Sequence, residues 1–205
     1  MTGYDTSEAS DEELLGRYQS GDSRAFGALL MRYRTPLYNY ILRSVRDADT
    51  AADLLQDAFT RVIRRSDTFN HDSKFSTWLY SITRNLCIDH QRKMKFRRHA
   101  SLDAGGVGNG TDGAPLVERV AHGAPGTERQ AHSSALRERV GAAVDALPEE
   151  QREVFVLRQL QQMPFAEIAR VVGVPENTVK SRMRYALERL KGALSDLEEH
   201  ARTGA

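Results

Sequence analysis

Apolar residues recur along this chain at spacings of three and four, and no stretch alternates with period two long enough to form a strand. In SDEELLGRYQSGD, Ser10 precedes Glu13 by three residues, the spacing of a capping box that opens a helix. A second helix is predicted from Asp22–Ser23, with Phe26, Leu29, Leu30, Tyr33 and Leu37 on one side. Pro36 is expected to kink or interrupt it. Asp49–Arg65 is the clearest amphipathic helix, with Leu55, Phe59 and Val62 joined by Ala51, Leu54 and Ala58 on its apolar face. Thr77–His90 carries Trp78, Leu79, Ile82 and Leu86 at helical spacing, so Trp78 is expected in the core. From about Ser133 a second helical unit is predicted, with helices at 134–146, 149–160, 165–172 and 176–195.

Glycine divides the two units. Seven of the fifteen glycines fall between 105 and 126, with Pro115 and Pro125, and no period survives there. The predicted fold is therefore all-α: a disordered N-terminus over 1–10, a helical domain over 11–98, a flexible Gly-rich linker over 99–132 and a second small helical domain over 133–197. A length of 205 residues fits one or two domains, and 7% aromatic residues suits small bundles better than one large core.

Charge changes the picture more than composition does. The net charge of +1 excludes a uniformly basic coat. Its distribution is uneven, however: residues 1–30 sum to −4, residues 83–98 to +5 and residues 176–191 to +3. Two local basic surfaces in a near-neutral chain point to targeted contact with phosphates. Cys87 is the single cysteine, so no intrachain disulfide can form, which suits a reducing compartment. No apolar run approaches the roughly 20 residues that span a bilayer. The N-terminus, MTGYDTSEAS, has no apolar signal core. A cytoplasmic protein without membrane insertion is expected.

Two stretches carry candidate chemistry. FAEIARVVGVPENTVKSRMRYALERLK reads as helix–turn–helix. Ala166, Ile168 and Ala169 leave room for a crossing helix, Gly173 suits a left-handed cap, and Pro175 suits the first turn of the next helix. Val179, Met183, Leu187, Leu190 and Leu194 form the expected core stripe. Thr178, Lys180, Ser181, Arg182, Arg184, Tyr185 and Arg189 lie on the other side, a face suited to the DNA major groove. The plainer reading is an amphipathic helix with a solvated charged face. The second stretch, FNHDSKFSTWLYSITRNLCIDHQRKMKFRR, crowds aromatic residues, small polar residues and a basic block into thirty positions.

Taken in order, DLLQDAFTRVIRR, KFSTWLYSITRNLCIDHQR, LPEEQREVFVLR and EIARVVGVPENTVKSRMRYAL resemble a bacterial RNA polymerase sigma factor of the extracytoplasmic-function (ECF) group, in the sigma-70 family. The resemblance implies that the two domains are sigma domain 2, for the −10 promoter element, and sigma domain 4, for the −35 element. It implies that Asp53, Gln56 and Asp57 dock the clamp helices of the largest subunit of core RNA polymerase, that the flap region is a further contact, and that the linker passes near the RNA path. Phe69–Phe75 would capture an unpaired −10 base: Phe69 by stacking or shaping the pocket, and Asn70, His71, Asp72, Ser73 and Asn85 by meeting its edge. Arg84, Arg92, Lys93, Lys95, Arg97 and Arg98 would hold phosphates. Lys180, Ser181, Arg184 and Tyr185 would read the −35 element, with Arg182 on a phosphate.

The resemblance also implies an anti-sigma partner. Cys87, His90 and His99 could in principle bind a metal, but one thiol without paired spacing argues against it, and Cys87 is expected as a small buried apolar residue. No cofactor is expected. No Walker loop, Rossmann glycine pattern or GxSxG occurs, so an enzyme is rejected. The alternatives are a helix–turn–helix regulator acting on duplex DNA without polymerase, and a helical adaptor whose basic faces bind acidic proteins.

Overall fold

The computed structural model describes residues 9–103 and 128–195, with side chains described over 9–97 and 136–195. The described residues form α1 (Asp11–Gln19), α2 (Ser23–Val45), α3 (Ala48–Arg65), a 3₁₀ turn (Ser66–Thr68), α4 (Phe75–Asp103), α5 (Glu128–Asp145), α6 (Glu149–Gln159), α7 (Phe165–Val172) and α8 (Glu176–Ala193). No strand occurs among them. No helix among them is long and apolar enough to cross a membrane. By proximity they fall into two compact units: α1–α4 with α7 from Ala166 onward, and α5, α6 and α8.

Of the expected linker, residues 104–127 lie outside the described residues, as do residues 1–8 of the expected disordered N-terminus. The linker's ends are corrected: α4 continues to Asp103 and α5 already begins at Glu128.

Helix ends in the first unit are set by short polar side chains. Ser10 Oγ accepts the Glu13 N–H at 3.2 Å while the Glu13 carboxylate accepts the Ser10 N–H at 2.9 Å. That backbone bond, more than any other group, holds the Glu13 carboxyl below its usual range. Asp22 caps α2 through the Arg24 N–H, and Asp47 caps α3 through the Thr50 N–H at 2.7 Å. Pro36 does not interrupt α2, which runs unbroken through it. A proline inside a helix costs about 3 kcal/mol, and burial on both sides of it offsets this: Phe26 and Leu29 before, Leu37, Tyr40 and Ile41 after.

Ala51, Leu54, Ala58, Phe59 and Val62 are buried on α3, as the periodicity predicts, with Leu55 half-buried. Phe75, Leu79 and Tyr80 of α4 complete the core with Leu14 and Leu15 of α1. Edge-to-face ring pairs, Tyr33 on Phe75 and Tyr40 on Tyr80, link α2 to α4.

In the second unit α6 packs on α8. Val154, Val156 and Leu157 are buried on the former; Val179, Met183, Ala186 and Leu190 on the latter. The expected stripe is corrected at two places: Leu194, the C-cap of α8, is only half-buried, and Leu187 leaves the core. Leu187 is 46% exposed, because steps of four, three and four from Val179 lead through Met183 to Ala186 and Leu190. Arg152 is buried, and its guanidinium closes the end of α5 by donating to the Asp145 carbonyl at 3.0 Å and the Leu147 carbonyl at 3.3 Å.

Gly173 ends α7 at φ +72°, with its N–H on the Ala169 carbonyl at 2.9 Å. Pro175 sits one position earlier than expected, as the N-cap of α8. An added Cβ at Gly173 would meet nothing within 4 Å, and the same holds at Gly27 inside α2. Only the backbone conformation separates the two. Gly173→Ala is expected to destabilise by about 1–2 kcal/mol, whereas Gly27→Ala should stabilise by about 0.5–1 kcal/mol. Denaturant unfolding of each variant checks the opposite signs.

Candidate nucleic-acid interface

The stretch between α3 and α4 is built on a buried ring. Ser66 Oγ donates to the Ile63 carbonyl, and the Phe69 N–H donates back to the Ser66 carbonyl at 3.0 Å. This turn drives Phe69 inward to 6% exposure. Its ring meets Trp78 at 5.2 Å, Phe75 at 6.2 Å and the His71 imidazole at 5.1 Å. Of the two roles expected for Phe69, the structure leaves shaping: a buried ring offers no open face for stacking. Trp78 is half-buried rather than a full core residue. It packs on Phe69 and Phe75 and keeps part of its surface open.

Above this floor, Asn70 organises the loop. Its Oδ1 accepts the Asp72 N–H at 3.0 Å, an Asx turn. Its backbone carbonyl accepts the Ser73 N–H at 3.0 Å and the Ser73 hydroxyl at 2.7 Å. Two of the five polar candidates, Asn70 and Ser73, thus hold the loop's own shape. His71 and Asp72 are exposed, as is Lys74.

Helix α1 fixes both ends of the loop, which no local spacing announces. The Glu12 carboxylate accepts the Phe75 N–H at 2.8 Å, capping α4 from 63 residues away. Gln19 Nε2 donates to the Ser66 carbonyl at 2.8 Å, and its Oε1 lies 3.2 Å from His71 Nε2. The helix is itself anchored to α2 by Asp11, which accepts from Arg32 at 2.7 Å and from the Tyr33 hydroxyl. Burial first, and then this bond to Asp11, push the Tyr33 hydroxyl far above its usual range.

Asn85 is exposed seven residues beyond Trp78, on the same side of α4 but about 10 Å further along its axis. It extends the loop's surface along the helix and does not sit on the loop. Arg84 is half-buried, while Arg92, Lys93, Lys95 and Arg97 are exposed. The Arg98 and His99 side chains lie outside the described residues. Cys87 is buried. On α3, Asp53, Gln56 and Asp57 are exposed together, opposite the buried Ala51, Leu54 and Ala58.

Four of the five candidates on α8 are exposed: Lys180, Ser181, Arg184 and Tyr185. Lys180 pairs with Glu176 at 2.7 Å. Arg184 reaches Glu188 at 3.9 Å and lies over the Tyr185 ring at 4.9 Å. Arg182 differs: its side chain is 18% exposed and its guanidinium holds Glu150 of α6 at 2.7 Å. It is a strut between two helices.

Two family models match this chain: Sigma-70 region 2 over residues 29–97, and Sigma-70, region 4 over residues 137–190. The ECF RNA polymerase sigma factor SigW of Bacillus subtilis is 30% identical over 179 residues, covering 87% of this chain and 94% of SigW. The chain belongs to the ECF RNA polymerase sigma factors. SigM of Mycobacterium tuberculosis is 34% identical over 93% of this chain and 87% of its own length, and the sigma-E factor of Escherichia coli K12 is 32% identical over 93% and 97%. The fold is shared with the sigma factor RpoE in complex with the anti-sigma factor NepR from Bartonella quintana, at TM-score 0.64 and 23% identity over 83% of this chain and 96% of that one. It is also shared with CnrH in complex with the cytosolic domain of CnrY, at TM-score 0.62 and 22% identity over 92% and 99%. The ECF factor thus has two sigma domains, region 2 within α2–α4 and region 4 within α5–α8. Sigma factors act in transcription initiation and are not enzymes themselves. The strap residues Glu12 and Gln19 lie before the stretch that the region 2 model matches.

Two expectations separate support from surface. Glu12→Ala should cost about 1 kcal/mol, the usual worth of a helix cap, and should shift the emission of Trp78, the chain's single tryptophan, towards the red. Thermal unfolding and fluorescence check this. Arg182→Ala should destabilise the α6–α8 pair by up to about 1 kcal/mol, as a partly shielded ion pair does, whereas Arg184→Ala should leave the melting midpoint unchanged.

Proposed function

We propose that this chain binds core RNA polymerase, recognises the −35 and −10 elements of a promoter and opens the strands at the −10 element. The observation that carries the reading is the loop at 69–75. It has an aromatic floor, Phe69, held by three neighbouring rings, polar edges raised above that floor, and a run of exposed cations on the helix it leads into. Strand opening asks for these three things. Extruding a base costs a few kcal/mol of lost stacking, which a preformed pocket offsets best if it need not be ordered on binding. The freed strand's phosphates need cations nearby: Arg92, Lys93, Lys95 and Arg97 supply them, with Arg84 nearer the loop.

On α3, the exposed carboxylates of Asp53 and Asp57 flank Gln56 and suit a basic partner surface, the polymerase clamp helices. Domain 4 presents Lys180, Ser181, Arg184 and Tyr185 to the −35 duplex, while Arg182 keeps the presenting helix in place. Lys180 and Arg184 pair with Glu176 and Glu188 at the surface, pairs that either a phosphate or the O6 and N7 edge of guanine would have to replace. An anti-sigma protein is the proposed regulator, as the complex of RpoE with NepR suggests by likeness of fold. The cytoplasm is the proposed compartment.

Purified protein added to core polymerase on fragmented genomic DNA should give transcripts with discrete 5′ ends. Core polymerase alone giving the same ends would sink the proposal, and a shift of duplex DNA without polymerase would favour a free-standing regulator. Arg184→Ala should weaken a −35 duplex by about 1–3 kcal/mol if it reads a base, with less effect on a scrambled duplex. Asp57→Ala should weaken core binding and leave isolated −35 duplex binding intact; an equal loss on both would contradict the assignment.

A further inference from the structure

Resting on the reading of the loop at 69–75 as a base-capturing element, we infer that α1 is a strap that sets the rate of strand opening. Glu12 and Gln19 are its positioning residues. They keep the loop assembled before DNA arrives and take no part in binding core polymerase or duplex promoter.

The loop holds itself together weakly. Asn70, His71, Asp72 and Lys74 are exposed. The polar bonds within it run from Asn70 to Asp72 and Ser73 and leave both ends untied. The ends are tied from α1 instead. Gln19 Nε2 donates at 2.8 Å to the Ser66 carbonyl, the same group that takes the Phe69 N–H. The Glu12 carboxylate accepts the Phe75 N–H at 2.8 Å. Glu12 and Gln19 lie about two helical turns apart, so one side of α1 reaches both ends of the loop. Tyr33 of α2 keeps strap and loop in register, because it touches both: its hydroxyl donates to Asp11 and its ring packs on Phe75 at 5.5 Å.

The loss of these bonds falls on one step. A loop left loose must be ordered when the base enters it, and that lost backbone freedom adds to the barrier for opening. The other steps use surfaces that do not depend on the strap. Asp53, Gln56 and Asp57 stand on α3. The first of the exposed cations on α4, Arg92, is about 25 Å beyond Phe75 along the helix axis. Capping governs only the N–H groups of the first turn, so the helix there persists with or without Glu12.

The test uses holoenzyme assembled from the full chain and core polymerase, on a promoter located by the 5′ ends of its own transcripts. Opening is followed by 2-aminopurine fluorescence in the −10 element. Affinity is measured for the duplex in the cold, before opening, and for the same promoter premelted by mismatches across the −10 element. Glu12→Ala removes the acceptor, and Gln19→Glu removes the donor at constant length. Each should slow opening by about 3–10-fold, the worth of one cap or hydrogen bond, and weaken the premelted promoter by a similar factor. Core affinity and duplex affinity in the cold should match wild type. Glu12→Gln keeps an acceptor oxygen and should restore the wild-type rate. Asp47→Ala removes a comparable cap at the end of α3 far from the loop; it should lower the melting midpoint as Glu12→Ala does without slowing opening. Equal slowing in Asp47→Ala, no rescue in Glu12→Gln, or a wild-type rate in Glu12→Ala and Gln19→Glu overturns the inference while leaving the loop a base-capturing element. Wild type that binds the premelted promoter no tighter than the duplex overturns the inference together with the reading beneath it.

Discussion

A hydrogen bond between two residues 63 positions apart, the Glu12 carboxylate on the Phe75 N–H, decides how α4 begins. The first turn of a helix leaves N–H groups without intrahelical partners, and an anionic cap there also meets the positive end of the helix dipole. With α4 started at Phe75, Phe75 and Trp78 point towards the ring of Phe69, and the loop between them has a floor. With the second strap residue, Gln19, on the Ser66 carbonyl, the other end of the same loop is closed. The nine residues of α1 thus hold a surface to which they contribute little area.

The same economy recurs in the second unit with arginine. Arg152 closes α5 on its own carbonyl groups, Arg158 donates to the Met163 carbonyl at 3.0 Å beneath the Phe165 ring, and Arg182 ties α8 to α6 through Glu150. The guanidinium has five donors in a rigid plane, so one side chain can fix a loop and pack on a ring at once. Cations among the described residues therefore differ in ways that composition cannot show: Arg152, Arg158 and Arg182 hold carbonyls or carboxylates in the second unit, whereas Arg92, Lys93, Lys95 and Arg97 stand exposed on α4.

Much of the architecture was legible in the sequence because it depends on neighbours. Helix spacing, the Ser10–Glu13 capping box, the burial of α3 and the left-handed turn at Gly173 are each decided within a few residues. The exposed group of Asp53, Gln56 and Asp57 follows from helical periodicity alone. Sequence order also carried the family, since four motifs in succession identify more than any one of them. At Pro36 the local penalty is real, but burial by other helices outweighs it, and α2 runs on uninterrupted.

Where the helices lie, which faces are apolar and which family the chain joins can all be read from residue order. The use of individual polar side chains depends on the folded arrangement. Phe69 became floor rather than platform, Asn70 and Ser73 became the loop's scaffold, and Arg182 became a strut because their partners arrive from elsewhere in the fold. Periodicity ranks a residue as inside or outside, but a hydrogen bond needs its partner within about 3 Å at a set angle. That condition is met or missed only when distant segments such as α1 and the loop at 66–75 are brought together.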